Sequence, residues 1–129
     1  MNDLIIDATT SKIFLTLIKN NKNIYTSKYE NSKNNFDKLV ILIQDLLDKS
    51  KMLTKNLNRI YVNRGPGSFA GIRNSLSTIK ALHLSMKIDY YCYSFQDFQD
   101  IKKIKYENIP NLCDKFEIKK NLINPIYIS

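Results

Sequence analysis

The stretch NRGPGSFAGIR at residues 63–73 contains all three glycines of the chain and two of its three arginines. Strand-forming apolar residues precede it and apolar residues at helical spacing follow it, so it is predicted to turn a strand into a helix. Gly65 and Gly67 flank Pro66 and permit positive φ angles on either side of the fixed proline φ angle. Ser68 is placed to cap the helix with its hydroxyl group. The stretch therefore predicts a strand–bend–helix unit.

The glycines also raise the question of phosphate binding. Gly71 lowers the stability of a first helical turn by about 1 kcal/mol relative to alanine, which predicts a close neighbour or an anion beside it. A Walker loop is excluded because Ile72 stands where its lysine is required. The pattern G-x-G-x-x-A at residues 65–70 matches a dinucleotide fingerprint only weakly, since its ribose-binding acid would be Asp89, which precedes a strand. We therefore predict no cofactor.

Outward from the bend, the chain alternates between strand and helix patterns. Their order is β-β-β-α-β-α-β-α, which predicts a mixed five-stranded sheet of α/β class with the ribonuclease-H-like fold of actin-like ATPases. The predicted strands are residues 4–8, 12–19, 24–29, 59–63 and 90–93, and the predicted helices are residues 34–51, 69–86 and 95–101. Residues 102–129 have weak periodicity.

The two long helices each present apolar or small residues away from their predicted core side. The core positions are Phe36, Leu39, Val40, Ile43, Leu46 and Leu47 on the first helix and Ile72, Leu76, Ile79, Leu82 and Met86 on the second. Small residues let another helix approach closely, so these outer positions predict an interface, or alternatively contacts within the same domain. They are Ile41, Leu42, Ala70, Ser77, Ala81 and Leu84.

The charge, the apolar stretches and the cysteines of the chain limit the classes of protein to which it can belong. The formal net charge is +8, but the 20 basic residues are spread along the chain. A solvated lysine surface is therefore predicted, with a nucleic-acid-binding surface as the alternative. There is neither a long apolar stretch nor a signal peptide, which predicts a cytoplasmic protein without membrane contact. Cys92 and Cys113 lack metal-ligand spacing, so we predict reduced thiols and no metal.

The bend resembles a family signature. Residues 64–73, RGPGSFAGIR, agree at nine of ten positions with the signature R-G-P-G-S-F-T-G-[IVL]-R of the bacterial TsaB (YeaZ) family of Gcp-like proteins, with Ala70 replacing threonine. Residues 5–10, IIDATT, resemble the opening I-D-T-S of the family. Residues 124–129, NPIYIS, resemble its closing P-x-Y-L-R. The resemblance implies a Gcp-like N-terminal lobe at residues 1–103 and a tail at residues 104–129 that is a remnant of the second lobe.

The resemblance also implies a function. TsaB proteins help make threonylcarbamoyladenosine next to the anticodon of tRNA as non-catalytic partners of TsaD. We therefore expect a scaffold subunit that binds a TsaD-like subunit, an ATPase subunit of the same complex or a second copy, and meets tRNA indirectly. A stand-alone basic nucleic-acid-binding module and a decayed remnant are the alternatives. No catalytic residue is predicted, because the chain lacks a visible nucleophile–base pair and His83 shares the core side of its helix.

Two groups of residues take roles from the resemblance. The first is a vestigial phosphate turn in which Asp7 either retains a function or caps the turn with its carboxylate, and it comprises Asp7, Thr9 and Thr10. The second is a contact loop that presents its arginines and the helix N-terminus to a partner. It comprises Arg64, Gly65, Pro66, Gly67, Ser68, Phe69, Gly71 and Arg73.

Overall fold

The computed structural model describes residues 1–99 and 101–127, without the side chains of residues 36 and 37. The predicted core side chain of Phe36 and the closing residues Ile128 and Ser129 lie outside this description. Within it, no helix is long and apolar enough to cross a membrane.

A mixed five-stranded sheet forms the centre of the fold, as predicted. Its strands are β1 (Asp3–Asp7), β2 (Lys12–Lys19), β3 (Asn23–Glu30), β4 (Arg59–Asn63) and β5 (Asp89–Tyr93), in the spatial order β3-β2-β1-β4-β5. The first three strands pair antiparallel, and β4 pairs parallel with both β1 and β5. All residues of β1 are buried, which requires that both faces of the sheet are covered.

Three helices cover one face. They are α1 (Lys33–Asp37), α2 (Leu39–Lys49) and α3 (Phe69–Met86). The bounds of α3 agree with the prediction, and its residues Ile72, Leu76 and Ile79 are buried with apolar residues of α2, β1 and β2. Met86, in contrast, is exposed, because α3 ends there and Lys87 follows with a φ angle of 57°.

The predicted single helix at residues 34–51 is interrupted at Lys38, and two of its positions differ from the prediction. Lys38 has φ −111° and ψ 14°, outside the helical region. Val40, a predicted core residue, is 58% exposed, whereas Leu42, a predicted interface residue, is 8% exposed and packs in the core. The two residues flank the buried stripe of α2 on opposite sides, so a small rotation of the helix decides which of them is covered.

The opposite face of the sheet is covered by shorter segments. Of the helix predicted at residues 95–101, residue 100 lies outside the described residues, and the described part instead contains the 3-10 turn Phe95–Asp97. Ser94 caps this turn by accepting a hydrogen bond from the N–H of Gln96. Phe98 then turns into the second core, where it meets α4 (Ile109–Lys115). This core comprises Ile5, Ile18, Tyr61, Tyr93, Phe98, Ile109 and Cys113.

The last described residues return to the edge of β5 and to the bend. The N–H of Asn121 donates to the carbonyl of Tyr90, and the N–H of Ile126 donates to the carbonyl of Arg64, each at 2.7 Å. Residues 104–127 therefore pack onto the rest of the domain. That they are a remnant of a second lobe stays a prediction.

Candidate functional site

The bend after β4 forms a capped strand-to-helix junction. The Ser68 hydroxyl oxygen accepts a hydrogen bond from the N–H of Gly71 at 3.2 Å, and the N–H of Ser68 donates to the carbonyl of Thr9 at 2.8 Å. Gly65 has a φ angle of 110°, and the Gly65–Pro66 peptide bond is cis. The N–H of Gly65 is held by the side-chain oxygen of Asn63, at 2.9 Å. The bend is thus tied at both ends.

A close backbone neighbour explains each glycine of the bend. A Cβ atom would lie 2.1 Å from the carbonyl oxygen of Ile126 at Gly65, 2.3 Å from that of Thr9 at Gly67 and 1.9 Å from that of Ala8 at Gly71. The close neighbour that the sequence predicted beside Gly71 is therefore found in the carbonyl oxygen of Ala8. The φ angle expected to require glycine at Gly67 is not found, because Gly67 is outside the positive range.

The two arginines of the signature differ in their surroundings. Arg64 donates from Nη2 to Asp97 Oδ1 at 2.8 Å and from Nη1 to the carbonyl of Asn124 at 3.1 Å. Its guanidinium is therefore used inside the chain and does not project as expected from the sequence. Arg73, one turn into α3, is exposed.

Asp7 caps the turn after β1. Its Oδ1 accepts hydrogen bonds from the N–H and hydroxyl of Thr9, at 3.0 and 2.7 Å. Its Oδ2 accepts from Asn63 Nδ2 at 3.2 Å and from the Tyr106 hydroxyl at 2.6 Å. Four donors from the chain itself therefore satisfy a carboxylate that is 2% exposed.

Tyr106 is the member of this turn that the sequence did not reveal. It lies 99 positions from Asp7 in a weakly periodic segment, so no local signal connects the two residues. Its ring also packs against Phe14, with centroids 5.6 Å apart. Burial and the nearby Asp7 carboxylate raise the pKa of the Tyr106 hydroxyl, so it remains a protonated donor at neutral pH. Thr10, the third predicted member of the turn, is exposed.

The outer face of α2 and α3 carries the predicted interface residues. Ile41 and Leu84 are exposed, Leu84 at 72%, as are Ser77 and Ala81, and Ala70 is half-buried. Phe69, at the start of α3, is also exposed and its ring packs on Tyr127, 4.7 Å between centroids. Exposed apolar side chains are therefore present on both helices.

The exposed charges of these two helices differ. Asp45 and Asp48 are exposed on α2, together with the cation Lys49 in its last turn. The helix α3 contains no acid, and its exposed cations are Arg73 and Lys80. Five cavities lined by described residues contain at most two basic side chains each, so these cavities do not collect the positive charge of the chain.

The groups most often used in catalysis are occupied or buried. Nδ1 of His83 is 2.9 Å from the carbonyl oxygen of Ile88, and the ring is half-buried as predicted. Burial raises the pKa of the Cys92 and Cys113 thiols to about 12, which leaves them protonated and poor nucleophiles. Among the described residues, no group of three or more His, Cys, Asp or Glu side chains is placed to hold a metal ion.

Comparison with known proteins agrees with the sequence signature. A family model described as "TsaD: tRNA N6-adenosine threonylcarbamoyltransferase" matches residues 21–106. The tRNA threonylcarbamoyladenosine biosynthesis protein TsaB of Buchnera aphidicola subsp. Schizaphis graminum (strain Sg) is 33% identical over 92 residues, which are 70% of this chain and 44% of that protein.

Solved structures show the same fold at low identity. YeaZ from Pseudomonas aeruginosa superposes with a TM-score of 0.67 at 20% identity, over 72% of this chain and 43% of that one. RuvC of Thermus thermophilus superposes with a TM-score of 0.51 at 10% identity, over 90% of this chain and 80% of that one. The predicted ribonuclease-H-like fold is confirmed. From the family match, the chain belongs to the TsaD family, in which it is a TsaB/YeaZ-like protein that spans less than half the length of its TsaB and YeaZ relatives.

Proposed function

We propose that this chain is a non-catalytic cytoplasmic subunit in threonylcarbamoyladenosine modification of tRNA, and that it acts by binding a TsaD-like subunit. The observation that carries the proposal is the exposed apolar face of α2 and α3 on a chain of the TsaD family. tRNA and an ATPase subunit would meet the chain through that complex.

The composition of the face suits a helix–helix contact. The apolar side chains of Ile41, Phe69 and Leu84 are exposed to water. Burying them against a partner removes apolar surface from water, which favours binding. Ser77 and Ala81 on α3 are small enough to let another helix approach closely. A contact centred on Ala81 would place another helix on these small residues and beside the exposed Leu84.

The exposed charges specify the partner surface further. Arg73 and Lys80 of α3 favour carboxylates on the partner, whereas Asp45 and Asp48 of α2 favour cations, although Lys49 is exposed in the last turn of the same helix. A TsaD-like partner should therefore present carboxylates opposite α3 and cations opposite α2. A second copy of the chain also fits, with α2 of each copy facing α3 of the other.

A non-catalytic role agrees with the state of the titratable groups. The Asp7 carboxylate is saturated by four donors, and His83 Nδ1 lies against a backbone carbonyl. Catalysis by acid–base or covalent chemistry requires a group that reaches the reacting atoms. The Asp7 carboxylate lacks that freedom, and the bond at His83 Nδ1 fixes the orientation of the ring.

The test is copurification of a TsaD-like subunit with the variant Ala81→Arg. Because Ala81 is exposed, the arginine extends into water in the free chain, and native circular dichroism and melting temperature are expected. In a helix–helix contact it adds volume where the two backbones approach, so loss of the partner is expected.

The matched control is Asn111→Arg, an exposed position on α4, on the other side of the sheet. It adds the same charge and should keep the partner. Unfolding of Ala81→Arg would place the α3 stripe in the core of the domain, and binding equal to that of the control would place the contact elsewhere. Either result overturns the proposal.

A further inference from the structure

A cavity of about 350 Å³ lies between the turn after β1 and the bend after β4. Its volume is within the range of pockets that bind small molecules. Asp7 and Thr10 line it from the first turn, Pro66 from the bend, and Phe95, Gln96 and Tyr106 from the segments that follow β5. The cavity is separate from the outer face of α2 and α3.

Cationic groups that would bind a phosphate are absent from the described lining of this cavity, and Nε of the nearby Arg64 is buried without a partner among the described residues but outside that lining. The cavity lining contains neither lysine nor arginine, and its charged residue is Asp7. The guanidinium of Arg64 is held by Asp97 and the carbonyl of Asn124. The N–H groups of Ser68 and Gly71, at the start of α3, donate to Thr9 and to the Ser68 hydroxyl. An anion in this cavity would meet a carboxylate without a compensating cation, which is unfavourable.

Other groups remain available for a ligand. Phe95 is 41% exposed, a large fraction for an aromatic ring in a cavity wall, and its ring lies 6.4 Å from that of Tyr106. The side-chain amide of Gln96 is exposed and makes no hydrogen bond with described residues, so it offers two donors and an acceptor. Thr10 adds an exposed hydroxyl. An aromatic face beside free amide and hydroxyl groups suits a planar ring with polar edges.

We propose that this cavity binds a free, uncharged heteroaromatic ring of nucleobase size, stacked on Phe95 and hydrogen-bonded by Gln96 and Thr10, and that it does not use a phosphate group. This binding is independent of the partner contact of α2 and α3. It differs from a phosphate turn in its chemistry, because stacking and neutral hydrogen bonds replace charge.

The experiment is a titration of the full-length chain with adenosine and with AMP, followed by amide NMR. Adenosine should shift the signals of residues 94–97 and 106, and AMP should bind no more tightly than adenosine. Phe95→Ala should weaken adenosine binding about fivefold or more, the usual consequence of losing one base–aromatic stack. A short oligoadenylate should bind no more tightly per base than adenosine, because its phosphates meet the same carboxylate.

Two variants act as controls. Phe95→Tyr keeps the stacking ring and should retain the affinity, and Tyr127→Ala removes an equally exposed ring outside the cavity and should leave it unchanged. Tighter binding of AMP than of adenosine would identify a phosphate site and overturn the proposal. Tighter binding of the oligonucleotide would identify a nucleic-acid site. The absence of shifts at the solubility limit of adenosine, or an unchanged affinity in a folded Phe95→Ala variant, would also overturn it.

Discussion

The two faces of the sheet are covered in different ways. On one face, α1, α2 and α3 bury aliphatic residues at helical spacing, and most of this part of the chain lies within the family match at residues 21–106. On the other face, short turns and the seven-residue α4 bury a core with three large aromatic rings, from Tyr61, Tyr93 and Phe98.

The difference shows that the tail is part of the fold. Alternate residues of β1 face opposite sides, so Leu4 and Ile6 belong to the first core and Ile5 to the second. Without Ile109 and Cys113 of α4, the second side of β1 and β4 would lose apolar cover. The likeness to RuvC agrees, because an alignment over 90% of this chain leaves out fewer residues than the tail contains.

The largest expected effect tests whether the two covers are equally important. Ile79→Ala removes a fully buried side chain of α3, and Ile109→Ala removes a fully buried side chain of α4. Each should lower the free energy of unfolding by about 2–5 kcal/mol, from lost burial and the cavity that remains. Urea denaturation followed by circular dichroism measures both.

A matched variant on the exposed side of α3 calibrates this comparison. Ser77→Ala should change the free energy of unfolding by less than about 0.5 kcal/mol, since the residue is exposed. If Ile109→Ala lowers the free energy of unfolding no more than Ser77→Ala does, the segments on the second face contribute little to stability. The two faces would then not be of equal importance.

The next effect concerns the junction of α3 with the sheet. Gly71→Ala places a Cβ atom 1.9 Å from the carbonyl oxygen of Ala8, so the backbone of the turn or of α3 must move. We expect a loss of about 2–3 kcal/mol in the free energy of unfolding, typical of overpacking, although alanine is the better helix former by about 1 kcal/mol. Thermal and urea unfolding measure it. A Gly71→Ala variant as stable as the parent would show that the close approach is not required.

The smallest effect tests the hydrogen bond that joins the tail to the first turn. Tyr106→Phe leaves the ring in place and removes one of two donors to Asp7 Oδ2. Hydrogen bonds to charged groups contribute about 1.5–3 kcal/mol, so the loss at neutral pH should be in that range, near its lower end because Asn63 still donates. Tyr25→Phe, on the partly buried edge of the other core, is the matched control and should cost less.

The same hydroxyl gives a pH dependence with a defined sign. Burial raises the pKa values of Tyr61, Tyr93 and Tyr106 in the folded chain. The unfolded chain therefore ionises first, and stability present below pH about 10 should fall as the pH rises further, by up to about 1.4 kcal/mol per pH unit for each tyrosine. Urea denaturation at increasing pH should show this loss, with a shallower slope for Tyr106→Phe. If the variant and the parent chain lose stability with pH at the same slope, ionisation of Tyr106 does not contribute to the alkaline loss.

Several features could be predicted from the sequence because their causes are local. The glycines, proline and capping serine at residues 65–71 indicated a strand–bend–helix unit, and the apolar spacing of residues 69–86 gave both bounds of α3. The helix at residues 34–51 was predicted less well. No glycine or proline marks its break at Lys38, and Val40 and Leu42 flank the same buried stripe, so apolar spacing alone did not decide that Leu42 is buried and Val40 exposed.

The sequence by itself therefore determined the sheet, the main helix and the signature bend, because propensity, capping and apolar period act over a few residues. Only the tertiary structure decided which residues each of these features contacts. Arg64 forms an ion pair with Asp97, Asp7 accepts a hydrogen bond from Tyr106, and Gly71 packs closely against the carbonyl of Ala8. These contacts join positions far apart in the chain, and their free energies depend on the distances and burial that packing creates, for which a single sequence carries no periodic signal.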